Sequence, residues 1–376
     1  MKNNTIVLFP VLSRYPTEKA FGITTRFTAE AVQSLGYETY ILAPKRGFKL
    51  ESTVSTIMIG ERFHNKLLNN KIKILVNLRF SIFQIHFYFS ILKKYGVKNK
   101  IFWTRDIFLS FLLSLQKSNS VVCEIHRTPS AMNRSILYFL KNKKNVILAP
   151  ITATLKGKLR ISDIRSEIAP MAINRKEREN YLEHIKFKKN KIIYLGNYIS
   201  GGHQLDLDKI NKLAIEIDKL YPDWKFEIIG IDRAVVEASC QEEVSSNVNV
   251  IGRLSRELLI ENLKHAKIGL VIYPNYDYFV DSFPIKIVEY AAAHLSIIAS
   301  DTIAHRNLLN SSMCEFFTYE SASSLLLAVT KIIGDPKYGN EISRNAFNWS
   351  KELTYENRAK KILHLLDKIS AVDLKQ

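Results

Sequence analysis

Two carboxylates bracket a lysine in the run Asp281-Ser282-Phe283-Pro284-Ile-Lys286-Ile-Val-Glu289-Tyr-Ala-Ala-Ala, which soon leads into the apolar run Ser296-Ile-Ile-Ala-Ser300. Pro284 suits the first turn of a helix, where its missing N–H costs nothing, and the residues after it are good helix formers. One carboxylate then sits in the loop before the helix and the other inside it. From Pro284 to Glu289 such a helix rises about 8 Å, comparable to the reach from a diphosphate to the ribose of a sugar nucleotide. A helix N-terminus offers unpaired N–H groups and partial positive charge, so a diphosphate fits there with Lys286 beside it. Asp281 would face the sugar and Glu289 the ribose hydroxyls. An amphipathic helix with solvated carboxylates at its ends would carry the same residues, with Lys286 snorkelling to solvent and Ser282 capping the helix instead of touching phosphate.

Such a site needs elements that hold it. At 376 residues, with 47% hydrophobic and 24% charged residues, the chain is globular and long enough for two cores. Short β-branched runs alternate with helical patterns, the signature of parallel sheets built from βαβ units. Strands are expected over 6–11, 39–43, 101–104, 121–125 and 146–149, and again over 192–196, 226–230, 248–251, 269–273 and 296–299. The fold class is therefore α/β, with two similar doubly wound halves. The first domain is expected over 1–172, a strongly polar linker over 173–190 and the second domain over 191–349.

The 281–289 run resembles the acidic-x7-acidic motif, with the surrounding Phe-Pro-x-Lys-x-x-Glu-Tyr-x-Ala stretch, of the family 4 retaining glycosyltransferases, of the type that builds bacterial surface polysaccharides. The resemblance implies the GT-B fold: two Rossmann-like domains facing each other across a cleft, the second binding the nucleotide-sugar and the helix of 350–376 packing back on the first. It also implies that Asp281 orients the sugar, that Glu289 holds the ribose, and that Lys286 with the helix N–H groups stabilises the leaving diphosphate. Ser282 and Phe283 fall in the donor-binding stretch. His126, in Glu124-Ile-His126-Arg127 at the end of a strand, occupies the place where a family histidine approaches the donor sugar; a lone histidine there also serves structure.

Gly22, in Phe21-Gly22-Ile-Thr-Thr25-Arg26, matches the family's glycine-rich loop before a helix ending near Gly36, or is an ordinary loop residue. Arg253, in Ile251-Gly252-Arg253, stands where the family backbone reads the base, or in a plain turn. The chain departs from the family after Gly196: the stretch Asn197-Tyr-Ile-Ser-Gly201-Gly202-His203 lacks the Arg and Lys that grip the diphosphate. Lys286, Arg253 or the amides of Gly201 and Gly202 would have to compensate. Asp281 is a second departure, one methylene shorter than the commoner Glu.

Asp206-Leu-Asp208 resembles a metal-binding Asp-x-Asp but precedes the helical run 209–220, so capping is expected and no metal or other cofactor. Cys123, Cys240 and Cys314 are odd in number and far apart, which fits a reducing compartment. The +18 formal charge draws phosphates of any kind. Nine Lys or Arg and no Asp or Glu fall between Arg62 and Lys100, around an aromatic-rich helical run. That run is either a buried helix flanked by solvated lysines or a helix lying on an anionic membrane surface.

The expected function is metal-independent, hexosyltransferase-like transfer of a sugar from a nucleotide-diphosphate donor to a saccharide or lipid-linked acceptor, with retention. The setting would be lipopolysaccharide or capsule synthesis in the cytoplasm or at the inner face of the membrane, with no nucleic acid as partner. An epimerase or phosphorylase of the same fold, and a catalytically silent GT-B subunit, are the alternatives.

Overall fold

The computed structural model describes residues 5–12, 15, 20–44, 54–58, 73–96, 99–182, 188–200 and 203–373. The chain divides into two compact units, residues 1–170 with 355–376, and residues 171–354. The first contains β1 (Ile6–Pro10), α1 (Ala20–Ser34), β2 (Glu38–Ala43), β3 (Ser55–Met58), α2 (Lys73–Tyr95), β4 (Lys100–Thr104), α3 (Ile107–Ser114), β5 (Ser120–Ile125), α4 (Ala131–Lys141), β6 (Val146–Pro150) and α5 (Ala153–Lys158). The second contains α6 (Arg175–Leu182), β7 (Lys191–Leu195), the short β8 (Ile199–Ser200) and β9 (His203–Gln204), α7 (Leu207–Leu220), β10 (Lys225–Ile229), α8 (Arg233–Ser239), β11 (Val248–Ile251) and α9 (Arg256–Lys264). It continues through β12 (Ile268–Val271), α10 (Asp277–Val280), α11 (Ile285–Ala292), β13 (Ser296–Ser300), α12 (Ile303–Arg306), β14 (Cys314–Phe317), α13 (Ala322–Gly334) and α14 (Pro336–Ser350). The last helix, α15 (Tyr355–Asp373), belongs to the first unit and packs on α1.

Each unit is built on a six-stranded sheet, ordered β3-β2-β1-β4-β5-β6 in the first and β11-β10-β7-β12-β13-β14 in the second. Within each of these sheets the pairings are parallel. Counted within its own unit, each sheet reads 3-2-1-4-5-6, the doubly wound order whose direction reverses between its first and fourth strands. Strands of both sheets are buried as strands covered by helices on both faces must be: β6, an edge strand, and β13, an inner one, are buried at every position.

These are the doubly wound halves the alternating pattern predicts. In the six-stranded sheets two strands escaped it, β3 and β14, each at an edge of its sheet; the short pair β8 and β9 escaped it too. The polar stretch 173–190 contributes α6 to the second unit, and residues 183–187 of it lie outside the described residues.

In α2 the buried side chains Gln84, Phe87, Tyr88 and Ile91 are matched by an exposed row on the other face, Ile82, Ile85 and Phe89, while the half-exposed Phe80 lies on the inner side. Among the described residues no helix is long and apolar enough to cross a membrane. Residues 62–72 and 97–98 of the basic segment lie outside the described residues.

Candidate functional site

The direction reversal of the second sheet falls between β7 and β12, and a crevice at the C-terminal ends of these strands is where such sheets bind ligands. Helix α11 begins there. Its core-facing Tyr290 is fixed to the sheet by the Leu195 N–H, which donates to the Tyr290 hydroxyl at 2.8 Å. Gly269 of β12 leaves room for that ring, since a Cβ there would stand 2.5 Å from it. Pro284 is the N-cap and has no side-chain acceptor for the first N–H groups of the helix.

Lys286, one residue into α11, does not snorkel. It is buried, with its ammonium 4.5 Å from the centre of the Tyr194 ring and 5.0 Å from that of Tyr273. It reaches the backbone just after β7: a Cβ on Gly196 would lie 3.0 Å from Lys286 Nζ and 3.2 Å from the Tyr194 hydroxyl. Neither Lys286 Nζ nor the Tyr194 hydroxyl has a hydrogen-bond partner. Burial pushes the lysine down to about 7 although Glu289 pulls it upward. His305, also buried, is pushed down to about 4, by burial first and by Lys286 in part, while its Nδ1 bonds the Ser300 carbonyl at 2.7 Å. Buried polar atoms without partners are few in folded proteins, and here two converge beneath an uncapped helix tip. An anion seated there would satisfy both.

Glu289 lies on the same helix and is buried. Its Oε1 is ion-paired with Arg256 of α9, and Oε2 has no partner. Arg256 in turn grips Glu177 of α6 with two bonds, Nε to Oε1 at 2.9 Å and Nη2 to Oε2 at 2.7 Å. The carboxylate expected to meet ribose is thus held by a guanidinium with one oxygen left over.

In the first unit the reversal falls between β1 and β4. A cavity of about 220 Å³ opens at their C-terminal ends, lined by Phe9, Val11, Phe21, Trp103, Arg105 and Asp106 among others. Glu124 of β5 reaches its wall and is buried beneath it. It accepts from Trp103 Nε1 at 2.5 Å, Arg105 Nε at 3.2 Å and His126 Nε2 at 2.8 Å, and pairs with Arg358 of α15 at 2.5 Å. Burial alone would raise this carboxyl; Arg358, His126 and Arg105 outweigh it and hold it well below the carboxylate range. Burial and Arg105 push His126 down to about 4, so its ring is neutral near pH 7. Because Glu124 only accepts, Nε2 carries the hydrogen and Nδ1 is left as an acceptor.

Solved structures share this architecture. Sucrose-phosphate synthase from Thermosynechococcus elongatus superposes with a TM-score of 0.72 at 14% identity, covering 98% of this chain and 100% of its own. WaaG, a glycosyltransferase involved in lipopolysaccharide biosynthesis, gives 0.65 at 14% identity over 96% of this chain and 99% of its own. Residues 177–349 match the model of the glycosyl transferases group 1 family. The chain is a GT-B glycosyltransferase. The glycosyltransferase is also similar in fold to HepE from Anabaena, solved in complex with UDP and glucose, with a TM-score of 0.63 at 9% identity over 96% of this chain and 99% of that one. No curated protein sequence matches it.

The remaining expected residues of the glycosyltransferase fall as follows. Asp281 is buried at the end of α10. Ser282 does not cap α11; its hydroxyl bonds the Phe279 carbonyl at 2.7 Å. Phe283 is buried and stacks on Trp349, with ring centres 6.4 Å apart. Arg253 is exposed, and the buried arginine is Arg256, three residues on. Gly201 and Gly202 lie outside the described residues. Asp206 caps α7 through the Lys209 N–H at 3.0 Å, and Asp208 pairs with Lys212 at 2.8 Å.

Gly22 corrects the loop reading, because Phe21-Gly22-Ile-Thr-Thr25-Arg26 is the opening of α1 itself. Thr24, Thr25 and Thr28 bond back to the carbonyls four residues earlier, which turns a threonine-rich run into helix. Tyr194, Tyr273, Arg256, Glu177 and Glu124 were not singled out as site residues. Only the position of Tyr194 and Tyr273 near the ends of predicted strands hinted at a site.

Proposed function

We propose that this enzyme moves a sugar from a nucleoside diphosphate to a hydroxyl of a saccharide or lipid-linked acceptor. The transfer retains configuration, needs no resident metal, and serves cell-surface polysaccharide synthesis at the cytoplasmic face of a membrane. The observation that carries the reading is Lys286, a buried ammonium without a hydrogen-bond partner beneath the tip of α11 and against Gly196. Its neighbours Tyr194 and Tyr273 give it aromatic faces but no counter-charge, so a diphosphate is the group the pocket lacks. The UDP and glucose held by HepE support the donor class, and the role of WaaG supports the polysaccharide setting.

In the reaction the bond from the anomeric carbon to the diphosphate breaks and a bond from that carbon to the acceptor oxygen forms. The acceptor proton passes to a phosphate oxygen of the leaving group. Negative charge grows on the diphosphate, so the α11 N–H groups and Lys286 stabilise the transition state more than the ground state. Oε2 of Glu289 receives a ribose hydroxyl. Asp281 orients the sugar ring. The engagement of Asp206 and Asp208 in capping and an ion pair supports a reaction that does not use them for metal.

The exposed Ile82, Ile85 and Phe89 row, with Lys93 and Lys94 in the last turn of α2, supports contact with an anionic bilayer. Sedimentation with vesicles tests it: binding to anionic but not neutral vesicles, weakened by salt, is expected, and equal binding to both refutes it. For the reaction, thermal-shift titration with nucleoside diphosphates identifies the base, and product analysis with candidate acceptors follows. Hydrolysis or epimerisation of the donor in place of transfer would overturn the proposal.

A further inference from the structure

The second unit holds another cavity at the opposite end of its strands. About 450 Å³ in volume, it is lined among others by Lys188, Asn190, Trp224, Lys267, His294 and Ser343. Asn190, Trp224 and Lys267 each directly precede a strand, β7, β10 and β12, so this cavity opens at the strand N-termini, whereas Lys286 lies at the C-terminal ends. Three cationic or protonatable groups face it, and no Asp or Glu is among its lining residues. Two acids near its rim have partners: Asp223 accepts from the lining residue Asn190, and Asp335 caps α14 through the Lys337 and Tyr338 N–H groups.

The placement of these groups is unusual for lysines with only structural work. Lys188 Nζ donates to the Ala266 and Ala293 carbonyls at 2.6 and 2.8 Å, which leaves its third hydrogen. Burial, and then Lys267, push it down to about 7. Lys267 Nζ bonds Asn190 Oδ1 at 2.5 Å and stands 5.6 Å from the Trp224 ring centre. His294 takes a left-handed backbone, φ 59°, in the turn between α11 and β13, where glycine would fit without strain. Its Nδ1 meets the Ser343 hydroxyl at 3.0 Å and its ring lies 5.3 Å from Phe347, so Nε2 is the remaining polar atom.

We propose that this cavity is a second, non-catalytic binding site for a small phosphate monoester, with Lys188, Lys267 and His294 around the phosphoryl group and Trp224 against the body of the molecule. Like charges held together without a carboxylate are relieved by an anion. Trp224 and Ile332 supply an apolar wall for a sugar-sized body.

The test uses the full chain carrying Lys286→Ala, so that phosphate binding at the donor site does not contribute. Calorimetric titration of this protein with glucose 6-phosphate, and separately with inorganic phosphate, is compared with the same titrations after adding Lys267→Gln or His294→Gly. Glycine accepts the left-handed turn, so the histidine variant keeps its backbone. Saturable binding that survives Lys286→Ala and weakens about tenfold in each second variant is expected. Binding unchanged by both variants, or no saturation up to about 10 mM of either ligand, overturns the proposal. Failure here leaves UDP binding by the unsubstituted chain intact, whereas failure of the donor-site reading shows as UDP binding indifferent to Lys286.

Discussion

Lys286 Nζ lies 3.0 Å from the place a Cβ on Gly196 would take, so a helix that starts after β12 delivers a cation to the backbone after β7. That is the segment whose sequence lacks the Arg and Lys expected of a diphosphate grip. The charge arrives from α11 instead of from the loop, and it arrives buried. Such an ammonium costs stability in the empty protein and is well placed to meet an anion, the trade between stability and activity that binding sites commonly make.

The glycine itself is therefore part of the site. Gly196→Ala should weaken UDP binding about tenfold, since the new methyl displaces Lys286 Nζ, while the melting temperature falls only slightly, because the flexible lysine tip moves aside and the Tyr194 ring, 3.2–3.3 Å away, need give only a few tenths of an ångström. Gly230→Ala is the contrast: its φ of 97° and a Cβ 2.5 Å from the Gly196 carbonyl oxygen should cost about 1–3 kcal/mol of stability. Paired calorimetry and thermal melts separate the two outcomes.

Lys286 also sets a pH dependence. Its folded-state value, about 7, is below the ordinary 10.5, with Tyr194, Tyr273, His305 and Glu289 as the ionisable groups around it. The penalty for burying its charge is present in full below about 7 and fades as pH rises toward the unfolded value, so the empty protein gains stability over that interval. Lys286→Met should raise the melting temperature most at pH 6 and least above pH 9. UDP binding runs the other way. Above pH 7, where the terminal phosphate is already ionised, affinity should fall by up to about tenfold per unit, with a proton taken up on binding. Calorimetry in buffers of different ionisation enthalpy reads that proton directly.

Arg256 holds two carboxylates at once, and removing it should be felt as instability first. Arg256→Met leaves the buried Glu289 and the partly buried Glu177 without their shared partner, at a cost of about 3–5 kcal/mol in urea unfolding. Glu289→Gln should cost less, because an amide oxygen still accepts from Arg256, yet should cut sugar transfer strongly. That makes Gln the informative replacement at Glu289.

Much of this was legible in the chain, for identifiable reasons. Strands such as β6 and β13 are buried at every position, so their apolar runs stand out; β3 and β14 are four residues long and only partly buried, and Ser55-Thr-Ile-Met and Cys314-Glu-Phe-Phe carry a weaker signal. The Pro284 start of α11 could be read because proline and the helix formers after it act locally. The burial of Lys286 could not, since it depends on Gly196 and Tyr194, about ninety residues earlier in the chain. Arg256 was missed for a related reason: Arg253 stands in the loop beside the glycine turn, while Arg256 opens α9 and is drawn inward by Glu177 and Glu289, both distant in the chain. Gly22 was misplaced into a loop because the back-bonding of its threonine neighbours has no signature in composition.

In the first unit, Glu124 is the shared anion of Arg105, Arg358, His126 and Trp103. Glu124→Ala should destabilise that unit by about 3–5 kcal/mol and loosen α15, because Arg358 loses its partner. His126→Ala removes a partly exposed ring and should cost far less. Amide exchange in α15 distinguishes the two variants: protection falls in the first and stays in the second.

The most direct test of the account is UDP affinity measured by calorimetry for the unsubstituted chain and for Lys286→Met at pH 7. Binding that drops about a hundredfold or more in the variant, in a protein that melts at the same or a higher temperature, is the predicted result. Equal affinity in the two proteins would contradict the placement of the diphosphate at the tip of α11.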